Sequence, residues 1–333
     1  MWRIEQPIHT PMTSATAVVC TRNRWPLLEA CLASLAEQML DALEVIVVDN
    51  GSTDQTPQNL ERWRHVSPRR HVLTEPIAGL SRARNRGLEA ARGEIVLFLD
   101  DDALPPVTWA NRHVAAYEDE TIVAAGGPIT LTFPAGRPAW AGPCLDHWWS
   151  ALNHGDALHA FRRPNSPYGA NMSIRRCSAL AVGGFNIRLG RVRGSLISSE
   201  EADLFDRLWN TGGVIRYLPE APIFHQVSED RLRRLWLLRR GWAQGRTNAR
   251  REGVLAGPEF RKRFVEEIRL AFGGPVGPWR TMIESRHEPG AALNDLCRRA
   301  GHFAWSCEHA WQRTRALTGH RFVRGSDSQR ESA

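Results

Sequence analysis

Apolar runs and amphipathic stretches alternate along roughly the first hundred residues. Four short runs have the unbroken apolar character of strands covered on both faces: ATAVVC (15–20), EVIVVD (44–49), HVLTE (71–75) and EIVLFLD (94–100). Leucines at helical spacing follow the first run in WPLLEACLASLAEQ (25–38), and LSRARNRGLEAAR (80–92) precedes the last. This order predicts an α/β fold, a mostly parallel sheet with helices on both faces.

The later part of the chain has a less regular pattern. Residues 133–167 are rich in Pro, Gly, Trp and His, which predicts an irregular connection with short helices. Further elements are predicted as a strand at 168–176, a helix at about 199–211 and strands at 214–218 and 223–227. We therefore expect a catalytic domain over 12–228, a helical C-terminal extension over 229–320 and a disordered tail over 321–333.

Composition narrows the class of protein without selecting a function. The 333 residues include 42% apolar residues, enough for a sizeable core, and the net charge of +7 favours acidic partners. No pair of cysteines has the C-x-x-C spacing of a zinc or redox site. The N-terminus lacks a basic start followed by an apolar run, and no apolar stretch is long enough to span a bilayer, so we expect a cytoplasmic protein.

The basic segment RLRRLWLLRRGWAQGRTNARR (231–251) interleaves leucines and tryptophans with arginines. This pattern is typical of a helix that lies on a membrane surface or binds a polyprenyl phosphate. It is equally typical of an amphipathic helix packed on the sheet, the interpretation we favour. Peripheral contact with the inner face of the membrane is thus a secondary expectation.

Polar and acidic segments follow each of the four predicted strands. They are TRNR, DNGSTD, EPIAGLSRARN and DDDA, in chain order. Open parallel sheets bind ligands at the carboxyl ends of their strands, so these segments should gather at one edge. That edge is the predicted active site.

The acidic triple Asp100-Asp101-Asp102 ends the fourth strand. Three adjacent carboxylates repel one another unless a cation shares them, and Mg²⁺ and Mn²⁺ prefer such oxygen ligands. The alternative is a helix N-terminus with acidic residues in its first turn. Asp49 ends the second strand, where its carboxylate could accept the N3–H of a uracil ring or take part in ordinary turn chemistry.

Four segments in this order and spacing resemble the motifs of glycosyltransferase family 2, the inverting enzymes with the Rossmann-like GT-A fold. They are TAVVCTRNR, EVIVVDNGSTDQT, GLSRARNRGLEAARGEIVLFLDDDA and SSEEADL, and the resemblance covers roughly residues 15–230. It implies contacts with the donor's nucleotide or its supporting loop for Thr21, Asn23, Asp49, Ser52, Asp54, Arg82 and Asn85. It also implies that Asp102 ligates the metal and that Asp100 lies near the ribose or beside the metal's ligands, while the role of Asp101 stays open.

SSEEADL resembles the family segment that begins the acceptor-side helix and supplies the catalytic base. The resemblance implies that Glu201 is the base, with Glu200 as the second choice, and that Asp203 orients the acceptor. Acidic residues also favour any helix N-terminus, so a structural role is the alternative. His225 matches a family histidine that reaches the metal or the leaving diphosphate, although a strand histidine is often structural.

The resemblance implies transfer of one sugar from a nucleotide-diphospho-sugar, with UDP as the expected nucleotide and Mn²⁺ or Mg²⁺ as cofactor. The Q-x-x-R-W signature of processive synthases is absent, which favours single transfer. The acceptor, a glycan, lipid-linked sugar, small molecule or protein, is not indicated, and no nucleic acid is expected. The alternatives are a sugar nucleotidyltransferase, which would need a Gly-rich first loop, and a basic binding module without catalysis, which would leave the acidic strand ends unexplained.

Overall fold

The structure is a computed structural model that describes residues 14–40, 42–192, 194–196, 198–252 and 298–299. The predicted helical extension beyond residue 252 lies outside the described residues, apart from residues 298 and 299, which are helical, and so does the predicted disordered tail over 321–333.

Strands and helices alternate through most of the described chain. The strands are β1 (Ala15–Thr21), β2 (Glu44–Asp49), β3 (Arg70–Thr74), β4 (Ile95–Asp100), β5 (Ala103–Leu104), β6 (Ile122–Gly126), β7 (Ile129–Thr132), β8 (His159–Ala160), β9 (Asn171–Arg175), β10 (Val214–Tyr217) and β11 (Ile223–Gln226). The α-helices are α1 (Trp25–Ala36), α2 (Thr56–Arg64), α3 (Leu80–Ala90), α4 (Trp109–Ala115), α5 (Arg176–Ala181), α6 (Glu200–Asn210) and α7 (Arg234–Glu252). Short 3-10 helices occur at Ala116–Glu118, Pro143–Trp149 and Glu229–Leu232.

The strands form a large sheet in the order β3-β2-β1-β4-β9-β6-β10-β8 and a small one in the order β5-β11-β7. In the large sheet β1 runs parallel to β2 and β4, β2 to β3, and β6 to β10, whereas β9 is antiparallel to both of its neighbours. In the small sheet His225 on β11 lies opposite Ala103 on β5. Ala103 is the residue that directly follows the acidic triple in the sequence. The predicted α/β architecture with a mostly parallel sheet is confirmed.

Three of the four predicted parallel strands, β1, β2 and β4, form the centre of the core because their apolar runs are covered on both faces. The expectation that the third run is also covered on both faces is wrong, because β3 lies at the edge of the sheet and has no fully buried residue. Val19, Val47 and Leu97 are fully buried. Helix α3 packs closely on β1, since a Cβ at Gly87 would lie 2.4 Å from Cγ1 of Val18. Only glycine permits this approach, which fixes the position of α3 and therefore of the side chains it carries.

Residues 103–132 contain four elements that the sequence pattern does not predict: β5, α4, β6 and β7. Strand β5 has only two residues, and β6 reads IVAAG, where alanine and glycine give a weak strand signal. The three strands among them form because β6 pairs with β9 and β10, and because β5 and β7 flank β11. Tertiary pairing has outweighed weak local preference.

Contacts divide the chain into two compact units. The first comprises the chain up to Pro134 together with Trp149–Arg193 and Ser199–Ser228. The second comprises Ala135–Trp148, Gly194–Ser198 and the chain from Glu229 onward. The predicted division into domains at 228 and 320 stays a prediction.

Helix α7 is the longest described element of the predicted helical extension. Leu235 and Trp242 are 58% and 40% exposed, and they share one helix face with the exposed Arg239. Within the described residues no helix is both long enough and apolar enough to cross a membrane.

Candidate active site

The acidic triple lies at the carboxyl end of β4, beside the end of β1. Strand pairing places Cys20 of β1 opposite Asp100. Asp100 remains 31% exposed, whereas Asp101 and Asp102 are buried. The triple therefore stands at the sheet edge where ligands of open parallel sheets bind.

His225 completes a group of metal-ligand atoms with Asp100 and Asp102. One ligand atom of each of the three residues lies within 4.8 Å of the others. His225 is 1% exposed, and its Nε2 is 3.1 Å from Oδ1 of Asp102. Two carboxylates and an imidazole are a donor set that suits Mn²⁺, and Mg²⁺ takes the carboxylates, so these residues fit the expected cofactor.

Asp101 is outside this group because both of its oxygens have other partners. Oδ2 accepts a hydrogen bond from Thr21 at 2.8 Å, and Oδ1 lies 2.5 Å from Nη1 of Arg24. Nη2 of the same guanidinium is 2.7 Å from Oδ2 of Asp102. Burial raises the pKa of Asp101 to about 6, with Arg24 opposing the rise and the Asp102 charge adding to it. Arg24 thus binds two adjacent carboxylates, an interaction that the sequence analysis missed.

Arg84 is a second arginine that the sequence analysis missed. It is 3% exposed, and it donates from Nη1 to Oε1 of Glu200 at 2.6 Å and from Nη2 to Oδ1 of Asp100 at 3.2 Å. The guanidinium also lies 5.6 Å from the ring centroid of Phe185. A sequence signal was present, since Arg84 shares the buried face of α3 with Leu88. Arg84 joins the acidic triple to the start of α6.

Glu200 and Glu201 begin α6, directly after Ser199 in a left-handed conformation with φ of 72°. Glu200 is buried against Arg84. Glu201 is half-buried, and its Oε2 is buried with no hydrogen-bond partner among the described residues. Burial, together with the neighbouring Glu200 charge and against the opposing charge of Arg84, raises the pKa of Glu201 to about 7. A carboxyl with this pKa exchanges a proton readily near neutrality.

The loops after β1 and β2 are tied together beside the triple. Asn23, with φ of 55°, donates from its backbone N–H to Oγ of Ser52 at 2.9 Å. Its side-chain Oδ1 accepts from the backbone N–H of Thr53 at 2.7 Å. Ser52 in turn donates its backbone N–H to Oδ1 of the buried Asp49 at 3.0 Å. The structure thus brings together the predicted nucleotide residues Asn23, Asp49 and Ser52, while Thr21 pairs with Asp101.

Asn85 and Arg82, the two residues of α3 that were predicted to contact the donor, have different surroundings. The Asn85 amide donates to the backbone oxygen of Phe185 at 2.8 Å and accepts from the backbone N–H of the same residue at 2.7 Å. Arg82 is half-exposed. Asn85 therefore orients Phe185, the ring beside Arg84, and donor contacts by Arg82 and Asn85 stay predictions.

Asp54 and Asp203 have local partners. Asp54 accepts the backbone N–H of Thr56 at 2.9 Å, which stabilises the start of α2. Asp203 pairs with Arg207 one turn further along α6 at 2.7 Å. Their predicted roles at the nucleotide loop and the acceptor stay predictions.

Comparisons with known proteins agree with this arrangement. The sequence model described as "Glycosyl transferase family 2" matches residues 16–183, about half of the chain. A glucosyl-dolichyl phosphate glucuronosyltransferase of Haloferax volcanii is 26% identical over 69% of this chain and 74% of its own length. The succinoglycan biosynthesis protein ExoM of Rhizobium meliloti is 28% identical over 70% of this chain and 73% of its own length.

Two solved structures have the same fold. A mannosyltransferase of Pyrobaculum calidifontis, in complex with GDP-Man and Mn²⁺, superposes with a TM-score of 0.54 and 24% identity, covering 92% of this chain and 81% of that one. GalNAc-T7, with UDP, GalNAc and Mn²⁺, gives a TM-score of 0.53 and 16% identity, covering 78% of this chain and 55% of that one.

The family match includes the acidic triple, Arg24, Arg84 and the loops after β1 and β2, and it ends before Glu200, Glu201 and His225. The resemblance to this family stated from the motifs is therefore confirmed, and the match includes the first three of the four segments on which it was based. With the fold shared with both solved structures, these findings show that the chain is a glycosyltransferase that belongs to family 2 and has the GT-A fold.

Proposed function

We propose that this glycosyltransferase moves one sugar from a nucleotide-diphospho-sugar to an acceptor hydroxyl, with inversion at the anomeric carbon. The observation that carries the proposal is Arg84, which binds Asp100 and Glu200 together. The proposed donor-binding triple and the proposed base helix are consequently treated as one site. One part would stabilise the leaving diphosphate, and the other would activate the acceptor hydroxyl.

The donor side is proposed to hold the diphosphate through Mn²⁺ or Mg²⁺ on Asp100, Asp102 and His225, whose ligand atoms lie within 4.8 Å. When bound, the ion supplies stabilisation of the negative charge that develops on the leaving nucleotide. The buried Asp49 carboxylate is proposed to accept the ring N–H of uracil, with Asn23 and Ser52 supporting the loop. UDP is the proposed nucleotide.

The acceptor side is proposed to use Glu201 as general base. Its pKa of about 7 leaves a large fraction ionised at neutral pH while keeping the carboxylate basic enough to take the acceptor proton. Glu200 is the weaker choice because Arg84 holds its Oε1 at 2.6 Å. Attack by the activated hydroxyl from the face opposite the diphosphate gives inversion without a covalent sugar–enzyme intermediate.

The acceptor is proposed to be a hydroxyl of a glycan or of a lipid-linked sugar. Support comes from two relatives, one named for a glucosyl-dolichyl phosphate acceptor and one for succinoglycan biosynthesis. Peripheral contact with a membrane fits a lipid-linked acceptor, and the exposed Leu235, Arg239 and Trp242 on α7 have the chemistry for it.

The test is release of the nucleoside diphosphate from a panel of UDP-, GDP- and dTDP-sugars in the presence of Mn²⁺ and a glycan acceptor mixture. Glu201→Gln should lower turnover of the productive donor by about 10²–10⁴-fold, the range for loss of a general base. The matched control is Glu118→Gln, which removes an exposed carboxylate and should leave turnover unchanged. Turnover by Glu201→Gln at the wild-type rate would refute the assignment of the base.

A further inference from the structure

Arg24 has an unusual position among the charged groups of the site. Its guanidinium lies 2.5 Å from Oδ1 of Asp101 and 2.7 Å from Oδ2 of Asp102, with both carboxylates buried. Asp102 is also one of the three residues that offer ligand atoms to a metal. One oxygen of this proposed ligand is therefore already in contact with a positively charged guanidinium, which it shares with Asp101.

The backbone holds Arg24 at this place. It immediately precedes α1, and its carbonyl accepts the backbone N–H groups of Leu27 and Leu28, each at 3.1 Å. On the other side Asn23, with φ of 55°, is tied to Ser52. Because hydrogen bonds hold the Arg24 carbonyl and the preceding residue, the side chain starts towards the two carboxylates from a fixed backbone position.

Electrostatics gives this contact a consequence for cation binding. A divalent ion on Asp102 stands within a few ångströms of the Arg24 charge, in surroundings where buried groups interact far more strongly than in water. Asp101, which shares Arg24, also accepts the Thr21 hydroxyl and so has no oxygen without a partner to offer the ion. The carboxylates attract the ion while Arg24 repels it.

We propose that Arg24 is a positioning residue that acts as an internal counter-ion of Asp101 and Asp102. It lowers the affinity of the site for a bare divalent cation, so that the cation binds tightly only together with the diphosphate of the donor. The diphosphate then supplies negative charge in place of the carboxylate charge that Arg24 neutralises. This inference rests on the proposed donor site and adds to it the order in which its parts assemble.

The first test is a titration with Mn²⁺ alone, followed by the electron paramagnetic resonance signal of the free ion. Arg24→Gln should tighten Mn²⁺ binding about tenfold or more, whereas a purely structural role for Arg24 would weaken it. The matched control is Arg86→Gln, which removes an exposed arginine from α3 and should not change Mn²⁺ affinity.

Adding UDP extends the same titration. In the wild type UDP should raise Mn²⁺ affinity strongly, and by reciprocity Mn²⁺ should raise UDP affinity by the same factor. In Arg24→Gln that factor should shrink, because the ion no longer depends on the diphosphate charge. GDP replaces UDP if it is the nucleotide that binds.

A second pair of variants keeps the test valid if Arg24→Gln fails to fold, since it leaves the buried Asp101 without its arginine. Asp101→Asn removes that buried charge, and Asp101→Asn with Arg24→Gln differs from it only at Arg24. The double variant should bind bare Mn²⁺ more tightly than Asp101→Asn. Each protein is first checked for a cooperative thermal transition.

The titrations distinguish failure of the proposed Arg24 role from failure of the proposed donor site. If the wild type binds Mn²⁺ with a nucleoside diphosphate but neither Arg24→Gln comparison tightens binding of Mn²⁺ alone, the role of Arg24 is overturned and the donor site stands. If the wild type binds no Mn²⁺ with any nucleotide, the proposed donor site and the role of Arg24 are both overturned.

Discussion

At the scale of the residue, Glu201 links burial to catalysis. Burial raises its pKa from an ordinary 4.5 to about 7, and a general base works only when it is deprotonated. We expect kcat/KM to rise about tenfold per pH unit below pH 7 and to level off above it. A pH profile from 5.5 to 8.5 checks this, and a rate that stays flat down to pH 5.5 would contradict it.

The same shift predicts an effect on stability with a definite sign. Because the folded-state pKa of Glu201 is raised, the protonated carboxyl stabilises the fold below pH 4.5, and this contribution is lost as the pH rises through about 7. At pH 8 the free energy of unfolding of Glu201→Gln should therefore exceed that of the wild type by about 1–3 kcal/mol. Near pH 4.5 the two proteins should have similar free energies of unfolding. Urea titrations at both pH values measure the difference.

Several site residues could be predicted from the sequence because the motifs place them at strand ends. Asp100 ends β4 and Asp102 lies two residues further along, and a ligand atom of each lies within 4.8 Å of one on His225. Arg24 and Arg84 could not be assigned, because an arginine shows its partners only when distant segments meet. Arg84 lies 116 positions from Glu200, and no local pattern links the two.

At the scale of the element, Arg84 fastens α6 to the end of β4. Arg84→Met would leave Asp100 and Glu200 without their common cation, and Glu200 is buried. Breaking a buried ion pair in this way typically costs about 3–5 kcal/mol of unfolding free energy. Urea unfolding measures the loss, with Arg86→Met on the exposed face of the same helix as control. A loss below about 1 kcal/mol would show that α6 is held by other contacts.

The elements also differ in how far the sequence predicted them. Strands β1, β2 and β4 were predicted within one residue of their bounds because their apolar runs are continuous. The small sheet was predicted only at β11, since β5 has two residues and β7 only four, between Pro128 and Pro134. Yet β11 and β5 are the strands that bring His225 to the acidic triple, so this part of the site depends on pairing rather than on local pattern.

At the scale of the whole molecule, membrane contact and location in the cytoplasm stay predictions. If the exposed Leu235, Arg239 and Trp242 of α7 contact a membrane, the protein should bind anionic vesicles more tightly than neutral ones. Added salt should weaken this binding. Co-sedimentation with vesicles checks this. Trp242→Ala should reduce binding several-fold, and Leu158→Ala, at an exposed residue of the first unit, should not. If Trp242→Ala bound vesicles as tightly as the wild type, the predicted membrane contact through α7 would be wrong.

The acidic triple with His225 is proposed to bind a donor diphosphate through a divalent cation. The most direct measurement is the thermal transition with UDP, GDP, dTDP and CDP, each with and without Mn²⁺, for the wild type, Asp102→Asn and the exposed-loop control Asp156→Asn. We expect one nucleotide to raise the transition temperature by several degrees only with Mn²⁺, in the wild type and in Asp156→Asn but not in Asp102→Asn. Stabilisation that is independent of Mn²⁺, or that persists in Asp102→Asn, would contradict the claim.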